Sequence, residues 1–313
     1  MKRILLLGAN GQLGFELARV LPPLGNLVCA TRNGRAGVSA CERADLADIE
    51  TLKALLDRVQ ADVIVNAAAY TAVDRAEQEP ELARRVNGEA MADIGAWAAS
   101  NKAAVVHFST DYVFDGQGDR PWREDDATAP LAVYGQSKLA GEQALSGSGC
   151  RHLILRTAWV YAARGHNFLL TMLRLARERD ELRVVSDQHG APTPAPLIAA
   201  ATAAVLARWL TLDDDTRIAR SGVYHLSSAG SCTWYAFAEA IFKRAAACGL
   251  IARRPKVHPI GSEEFPTPAQ RPAWSVLDNT RLRETFAVAL PDWQRGLDQV
   301  LTDLAACTRT TTE

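Results

Sequence analysis

Apolar residues in this chain arrive as short unbroken runs, separated by longer stretches in which they recur every three or four positions. The runs fall at residues 4–7, 27–30, 63–66, 105–109 and 153–156, and helical spacing is clearest at 49–59 and 81–100. Strands that are apolar throughout, not alternately, are buried on both faces. Runs and helices in alternation therefore predict an α/β fold with a parallel sheet covered on each side, doubly wound because crossovers between parallel strands are right-handed. Past residue 160 the rhythm weakens, and Gly/Pro-containing loops enter at 190–196 and 255–272. The expected organisation is a main domain over 1–160 and a smaller C-terminal lobe over most of 161–313. That lobe is built from 167–186 and from 224 onward, with the chain returning to the main sheet between them. No internal repeat is visible, and the polar end at 308–313 is expected to fray.

The first run breaks into Gly8-Ala9-Asn10-Gly11-Gln12-Leu13-Gly14 and resumes with Leu13, Leu17, Val20 and Leu21 at helical intervals. Strand, glycine turn and helix N-terminus in that order form a seat for a dinucleotide pyrophosphate and mark the domain as Rossmann-type, with an NAD(P)-binding role. Gly8, Gly11 and Gly14 answer three needs: a turn of unusual φ, backbone close to phosphate, and a helix packed tightly on its strand. Gln12 and Leu13 belong to the same turn. The second run ends at Thr31-Arg32, where such a fold meets the adenosine ribose. A guanidinium at Arg32 suits a 2′-phosphate, so NADPH is expected to be preferred, with NADH possible. Asp45-Leu46 is a candidate contact to the adenine, although Asp45 could equally cap the helix that begins at Ile49. Ala67, Ala68, Ala69, Tyr70 and Thr71 continue the run at 63–66 into small residues against which a flat cofactor can lie. Phe108 completes the cofactor set together with Tyr134 and Lys138.

Tyr134 and Lys138, four apart, share one helix face, so an ammonium beside a phenol can lower its pKa. That arrangement makes a proton donor for carbonyl reduction, and the lysine also reaches the nicotinamide ribose. Thr110, in Ser109-Thr110-Asp111, is placed to hydrogen-bond a carbonyl oxygen as it gains charge. His107 lies in the apolar run Val105-Val106-His107-Phe108 and is read as a satisfied strand residue, not a ligand.

Composition narrows the partners. Among 313 residues, 35 Lys and Arg nearly balance 36 Asp and Glu, for a formal net charge of -1. No overall field draws such a chain to nucleic acid or a membrane surface, so the expected partner is a small molecule. The best membrane-spanning candidate, residues 197–210, is Ala-rich and contains Arg208, and the first run is too short for a signal segment. The chain is read as cytoplasmic, a monomer or homodimer. Its six cysteines, Cys29, Cys41, Cys150, Cys232, Cys248 and Cys307, form no C-x-x-C pair; reduced thiols are expected, and no metal site is assigned.

With these residues in hand, the chain resembles the extended short-chain dehydrogenase/reductase superfamily, and within it the dTDP-4-dehydrorhamnose reductase family. The resemblance runs from residue 4 to about residue 293. It rests on Val65-Asn66-Ala67-Ala68-Ala69-Tyr70-Thr71-Ala72-Val73-Asp74, the run 109–116, Tyr134-Gly135-x-x-Lys138-x-x-Gly141-Glu142, Arg156-Thr157-Ala158-Trp159-Val160-Tyr161, Asp187-Gln188-x-Gly190-x-Pro192-Thr193 and Arg271-Pro272-x-x-Ser275-x-Leu277. It implies hydride transfer from NAD(P)H to C4 of a dTDP-4-keto-6-deoxy sugar, giving dTDP-L-rhamnose for cell-surface polysaccharide such as O-antigen lipopolysaccharide. It implies Thr110, Tyr134 and Lys138 as the catalytic set. Thr110, Asp111, Tyr112 and Trp159 would hold the sugar, and Arg271 would face the nucleotide diphosphate. Trp159 could instead be lobe packing, and Asp187, Gln188 and Thr193 could merely shape a loop.

Two departures stand out. Thr31-Arg32 occupies the place where relatives often carry an acidic ribose contact. Pro196 stands where some carry a glutamate, so the Mg2+ sometimes associated with the family loses a possible ligand, and Glu16 alone is no site. Rival readings are another nucleotide-sugar reductase, epimerase or dehydratase on the same scaffold, and a non-catalytic NADP-binding regulatory subunit.

Overall fold

The computed structural model describes residues 1–37 and 39–310, the side chains of 307–310 excepted. Seven strands form one sheet: β1 (Arg3–Leu7), β2 (Asn26–Thr31), β3 (Glu42–Arg43), β4 (Val63–Asn66), β5 (Ala104–Thr110), β6 (Arg151–Thr157) and β7 (Gly222–His225), in the spatial order β7-β6-β5-β4-β1-β2-β3. Every pairing in it is parallel. The order reverses between β1 and β4, which is the switch point where such sheets bind ligands beyond their strand ends.

The unbroken apolar runs follow from burial on both faces. Ile4, Leu6, Val63, Val65, Val106, Leu153 and Leu155 pack on one side with Leu17 of α1 (Gln12–Val20). Leu5, Leu7, Ile64, Val105 and Ile154 pack on the other, against Leu52, Leu55 and Leu56 of α2 (Ile49–Val59) and Met91 and Ile94 of α3 (Ala90–Ser100). Each such side chain taken out of water contributes about 1.5–3 kcal/mol. Asp48, not Asp45, caps α2, its carboxylate accepting from the N–H groups of Glu50 and Thr51.

The helix expected over 81–100 is divided. Pro80–Arg84 is α-helical, Arg85–Glu89 winds as a π-helix, and α3 follows. A π-turn of this kind turns side chains out of register, commonly at a functional site; here it aims Asn87 inward. α4 (Val133–Gly147) then lies across the π-turn and α3, and Gly141 lets it approach the turn, because a Cβ there would stand 2.1 Å from the Asn87 carbonyl oxygen.

After β6 the chain leaves the sheet, forms the helix Phe168–Glu178 and the strand Glu181–Val185, then crosses back as α5 (Ala195–Leu210) and β7. Ile198, Val205, Leu206 and Trp209 of α5 bury against the first face of the sheet. The lobe is completed when Lys256–Ile260 pairs in parallel with Glu181–Val185. Its core joins Leu169, Leu173, Phe237, Phe242 and Leu297. The terminal helix Trp293–Thr310 extends through part of the segment expected to fray, and residues 311–313 lie outside the described residues. Among the described residues no helix is long and apolar enough to cross a membrane, and Cys29, Cys41, Cys150, Cys232 and Cys248 are free thiols.

Candidate active site

A cavity of about 950 Å³ opens at the C-terminal ends of β1, β4, β5 and β6. Its floor is the glycine turn. Gly8 has φ +80°, which a side chain would strain, and a Cβ on it would stand 2.7 Å from the Ala68 nitrogen. At Gly14 a Cβ would stand 2.0 Å from the Gly8 carbonyl oxygen, so this glycine is the price of seating α1 on the turn. Gly11 is the N-cap of α1 and no side chain caps it, which leaves N–H groups of the first turn for a ligand. Gly8, Gly11, Gln12 and Leu13 line the cavity; Gly14 lies behind it. Gln12 is held by the lobe, its Oε1 accepting from Asn167 Nδ2 at 2.7 Å.

Arg32, Asp45, Leu46, Ala67, Ala68, Ala69, Tyr70, Thr71 and Phe108 all reach the same cavity. Arg32 is exposed and has no ion-pair partner among the described residues. Thr31 is turned away: it is buried, and its hydroxyl braces the bend by bonding to Asn33 Oδ1 at 3.0 Å and accepting from the Arg35 N–H at 2.9 Å. Asp45 accepts from the Ala47 N–H at 3.0 Å. The small-residue wall is pinned from behind. Asn66 Oδ1 accepts from the Ala68 N–H at 3.1 Å. Asn87, delivered by the π-turn, accepts from the Tyr70 N–H at 2.8 Å and donates to the Tyr70 carbonyl at 3.0 Å and to Ser137 Oγ at 2.9 Å.

Thr110, Asp111, Tyr112, Tyr134, Lys138 and Trp159 share the opposite wall. α4 approaches closely because Gly135 has no side chain; a Cβ there would stand 2.2 Å from the Tyr112 carbonyl oxygen. Burial pushes the Tyr134 phenol up to about 12, while its hydrogen bond with Thr110 works downward. Burial brings Lys138 down to about 8, opposed by Glu142. Tyr134 and Lys138 share a helix face as expected, and the lysine is anchored by the strand beneath it. Its Nζ donates to the Phe108 carbonyl at 2.6 Å and lies 3.1 Å from His107 Nε2.

Asp111 is fully enclosed. Thr110 Oγ1 donates to its Oδ1 at 2.9 Å, and burial, outweighing the opposing hydrogen bonds of Ser275 and Thr110, pushes its carboxyl up to about 6. A carboxyl raised in the folded state binds protons that the unfolded chain has already released between about pH 4 and pH 6, so stability falls as pH rises through that window. Asp111→Asn keeps the shape and removes the buried charge. It should therefore stabilise the fold at pH 8 by on the order of 2 kcal/mol, and by much less at pH 4. Denaturant midpoints at the two pH values check this; an equal difference at both would show that the Asp111 carboxylate is not strained.

Trp159, at φ +47°, stacks on Trp234 with ring centroids 3.4 Å apart, and Gly190 makes room for its indole. It is both lobe packing and cavity wall. Arg271 lines a second cavity of about 1230 Å³ in the lobe and meets the first through a hydrogen bond with Tyr112. Its guanidinium grips Asp74 at 2.8 and 3.0 Å. His166 and Trp234 line both cavities, so the two adjoin. Asp187 and Gln188 bond to Ser262, and Thr193 accepts from the Ser228 N–H, contacts that shape loops. Among the described residues no group of three or more His, Cys, Asp or Glu side chains is placed to hold a metal ion. Glu16 pairs with Arg19 at 3.1 Å.

An open parallel sheet with an uncapped glycine turn facing a Thr/Tyr/Lys wall across one cavity defines a Rossmann-type oxidoreductase of the extended short-chain dehydrogenase/reductase class. Residues 1–306 match the family model described as RmlD substrate binding domain. The dTDP-4-dehydrorhamnose reductase of Escherichia coli K12 is 45% identical over 305 residues, covering 97% of this chain and 99% of that protein. That of Burkholderia thailandensis is 46% identical over 307 residues, covering 96% and 99%. A crystal structure of dTDP-4-dehydrorhamnose reductase from Bacillus anthracis in complex with NADP superposes with TM-score 0.84 at 32% identity, covering 96% of this chain and 99% of that one. The chain belongs to the dTDP-4-dehydrorhamnose reductase family.

Proposed function

We propose that this protein reduces the C4 ketone of dTDP-4-dehydrorhamnose to give dTDP-L-rhamnose, with NADPH as the preferred reductant and NADH accepted. The observation that carries the reading is the facing arrangement in one cavity of the glycine turn and small-residue wall on one side and Thr110, Tyr134 and Lys138 on the other. When bound, the dinucleotide supplies a hydride. Residues 1–160 hold it mainly through Gly8, Gly11, Gln12, Leu13, Ala67, Ala68, Ala69, Tyr70, Thr71 and Phe108, with Arg32 at the ribose end and Asp45 and Leu46 near the adenine. Residues 161–313 mainly serve the sugar nucleotide. Asp111, Tyr112 and Trp159 position the sugar, and the nucleotide diphosphate occupies the adjoining cavity, where Arg271 is its cation.

In the chemical step Thr110 hydrogen-bonds the substrate carbonyl oxygen, Tyr134 donates its phenol proton to that oxygen, and Lys138 holds the ribose hydroxyls and restores the phenol. Elimination, as in a dehydratase, needs a carboxylic acid pair beside the threonine, and Asp111 is followed by Tyr112. The test is purified protein with NADPH and the 4-keto-6-deoxy sugar nucleotide, following nicotinamide absorbance and identifying the product. Oxidation of NADPH with formation of the 6-deoxy sugar nucleotide is expected. Binding of NADPH with no turnover would overturn the reading and favour a regulatory subunit.

A further inference from the structure

Behind Lys138 lies a buried polar chain that the reaction, as proposed above, does not use. His107, on β5, is completely enclosed. Its Nδ1 lies 3.2 Å from Asn66 Nδ2 and its Nε2 lies 3.1 Å from Lys138 Nζ. The orientation of the Asn66 amide is fixed: its Oδ1 accepts from the Ala68 N–H at 3.1 Å, and its Nδ2 lies 3.0 Å from Met91 Sδ, a contact that suits a donor. Rotating the amide would break both. Asn66 therefore presents an N–H to His107 Nδ1, which must accept it.

A neutral imidazole has a single N–H, so with Nδ1 accepting, the proton is on Nε2 and points at Lys138. Burial and the lysine itself hold His107 well below its usual range, so the ring stays neutral. An ammonium at Nζ would set donor against donor, whereas an amine accepts Nε2–H and still donates to the Phe108 carbonyl.

We propose that His107, locked by Asn66 as the Nε2–H tautomer, is a positioning residue that destabilises the charged form of Lys138 and so makes it a ready proton donor to Tyr134. The inference rests on the reductase reading. In the step concerned, Tyr134 passes its proton to the substrate oxygen and becomes a phenolate. The Lys138 ammonium returns a proton to the Tyr134 phenolate oxygen and becomes the amine that His107 favours. Water then reprotonates Lys138, and the net proton consumed is the one in the product hydroxyl. The other charged group bearing on Nζ is Glu142, on its own helix. Arg156 of β6 holds Glu142 in a buried two-pronged pair at 2.7 and 2.9 Å, so the negative charge on that side is already matched.

The first measurement is direct and needs no turnover: long-range nitrogen correlation spectra of the wild-type protein, whose sequence contains only six histidines. His107 should show Nε2–H with Nδ1 unprotonated; Nδ1–H would overturn the proposal. The second uses His107→Gln, whose amide oxygen can accept from an ammonium, and Asn66→Asp, whose carboxylate would draw the proton to Nδ1. Each should move the alkaline limb of kcat/KM, expected near pH 8 in the wild type, upward by about one pH unit. A merely structural role would lower activity without moving the limb, and unmoved limbs in folded variants would sink the idea. Should neither variant fold, the wild-type spectrum decides. Absence of wild-type turnover would count against the reductase reading alone.

Discussion

Tyr134→Phe is expected to lower kcat by about a hundredfold or more while leaving cofactor affinity within about twofold. The ring stays, and with it the packing of α4 against the Tyr112 ring, whose centroid is 5.6 Å away. What is lost is the one transferable proton aimed at the carbonyl. Burial holds the phenol above its ordinary value near 10, so it carries that proton at neutral pH. The same burial makes it a weak acid, so the transition state depends on Thr110 and on prompt return of a proton from Lys138. Lys138→Met should therefore damage turnover and cofactor affinity together, since it removes both the proton source and the ribose contact. Single-turnover reduction with pre-bound NADPH separates the two variants. Near-normal turnover in Tyr134→Phe would require a different acid, and Asp111, raised to about 6 by burial, would be the one to examine.

Five of the main sheet's seven strands are legible because they are buried on both faces and so read as unbroken apolar runs from residue 4 to residue 156; the edge strands Glu42–Arg43 and Gly222–His225 carry no such run. The lobe is less legible: its two-stranded sheet pairs Leu182 with Val257 across some seventy residues, and no local pattern announces such a partner. The π-turn is not legible in the sequence because Arg-Val-Asn-Gly-Glu carries ordinary helical signals; its cause is tertiary, the contact of Asn87 with Tyr70 and Ser137.

The same division holds at the site. Gly8, Gly11, Thr110, Tyr134 and Lys138 could be found because each follows a strand or shares a helix face at a recognisable spacing. Asn66, Asn87 and His107, which hold them in place, are single polar residues inside apolar or helical stretches, and only the fold gives them partners. Thr31 illustrates the converse, since its position beside Arg32 suggested a ribose contact, whereas its hydroxyl is spent on the bend at Asn33 and Arg35. The family resemblance implies Arg271 as a cation for a diphosphate, and in the structure it grips Asp74. A diphosphate arriving in the lobe cavity would compete with that carboxylate for the same guanidinium.

Cofactor choice is expected to favour NADPH over NADH by about tenfold in kcat/KM, and Arg32→Ala is expected to remove most of that preference. Arg32 stands just beyond β2 on the wall of the cofactor cavity, exposed and without an ion-pair partner among the described residues. A guanidinium so placed can fork onto a 2′-phosphate, while a ribose with a free 2′-hydroxyl finds no carboxylate at Thr31-Arg32 to accept from it. Arg35, whose N–H is tied to Thr31 Oγ1, adds positive charge nearby without lining the cavity. Solvent limits the gain, because an exposed charge pair is screened and its side chain must be ordered to make the contact. Hence the expectation of tenfold and not a thousandfold, and of a preference that shrinks as salt rises from 50 to 500 mM. Steady-state kinetics with both cofactors, on the parent and on Arg32→Ala at two ionic strengths, measure all three quantities. Equal specificity constants in the parent, or a preference that survives the substitution unchanged, would show that Arg32 is a solvated loop residue and that cofactor selection is made elsewhere in the cavity.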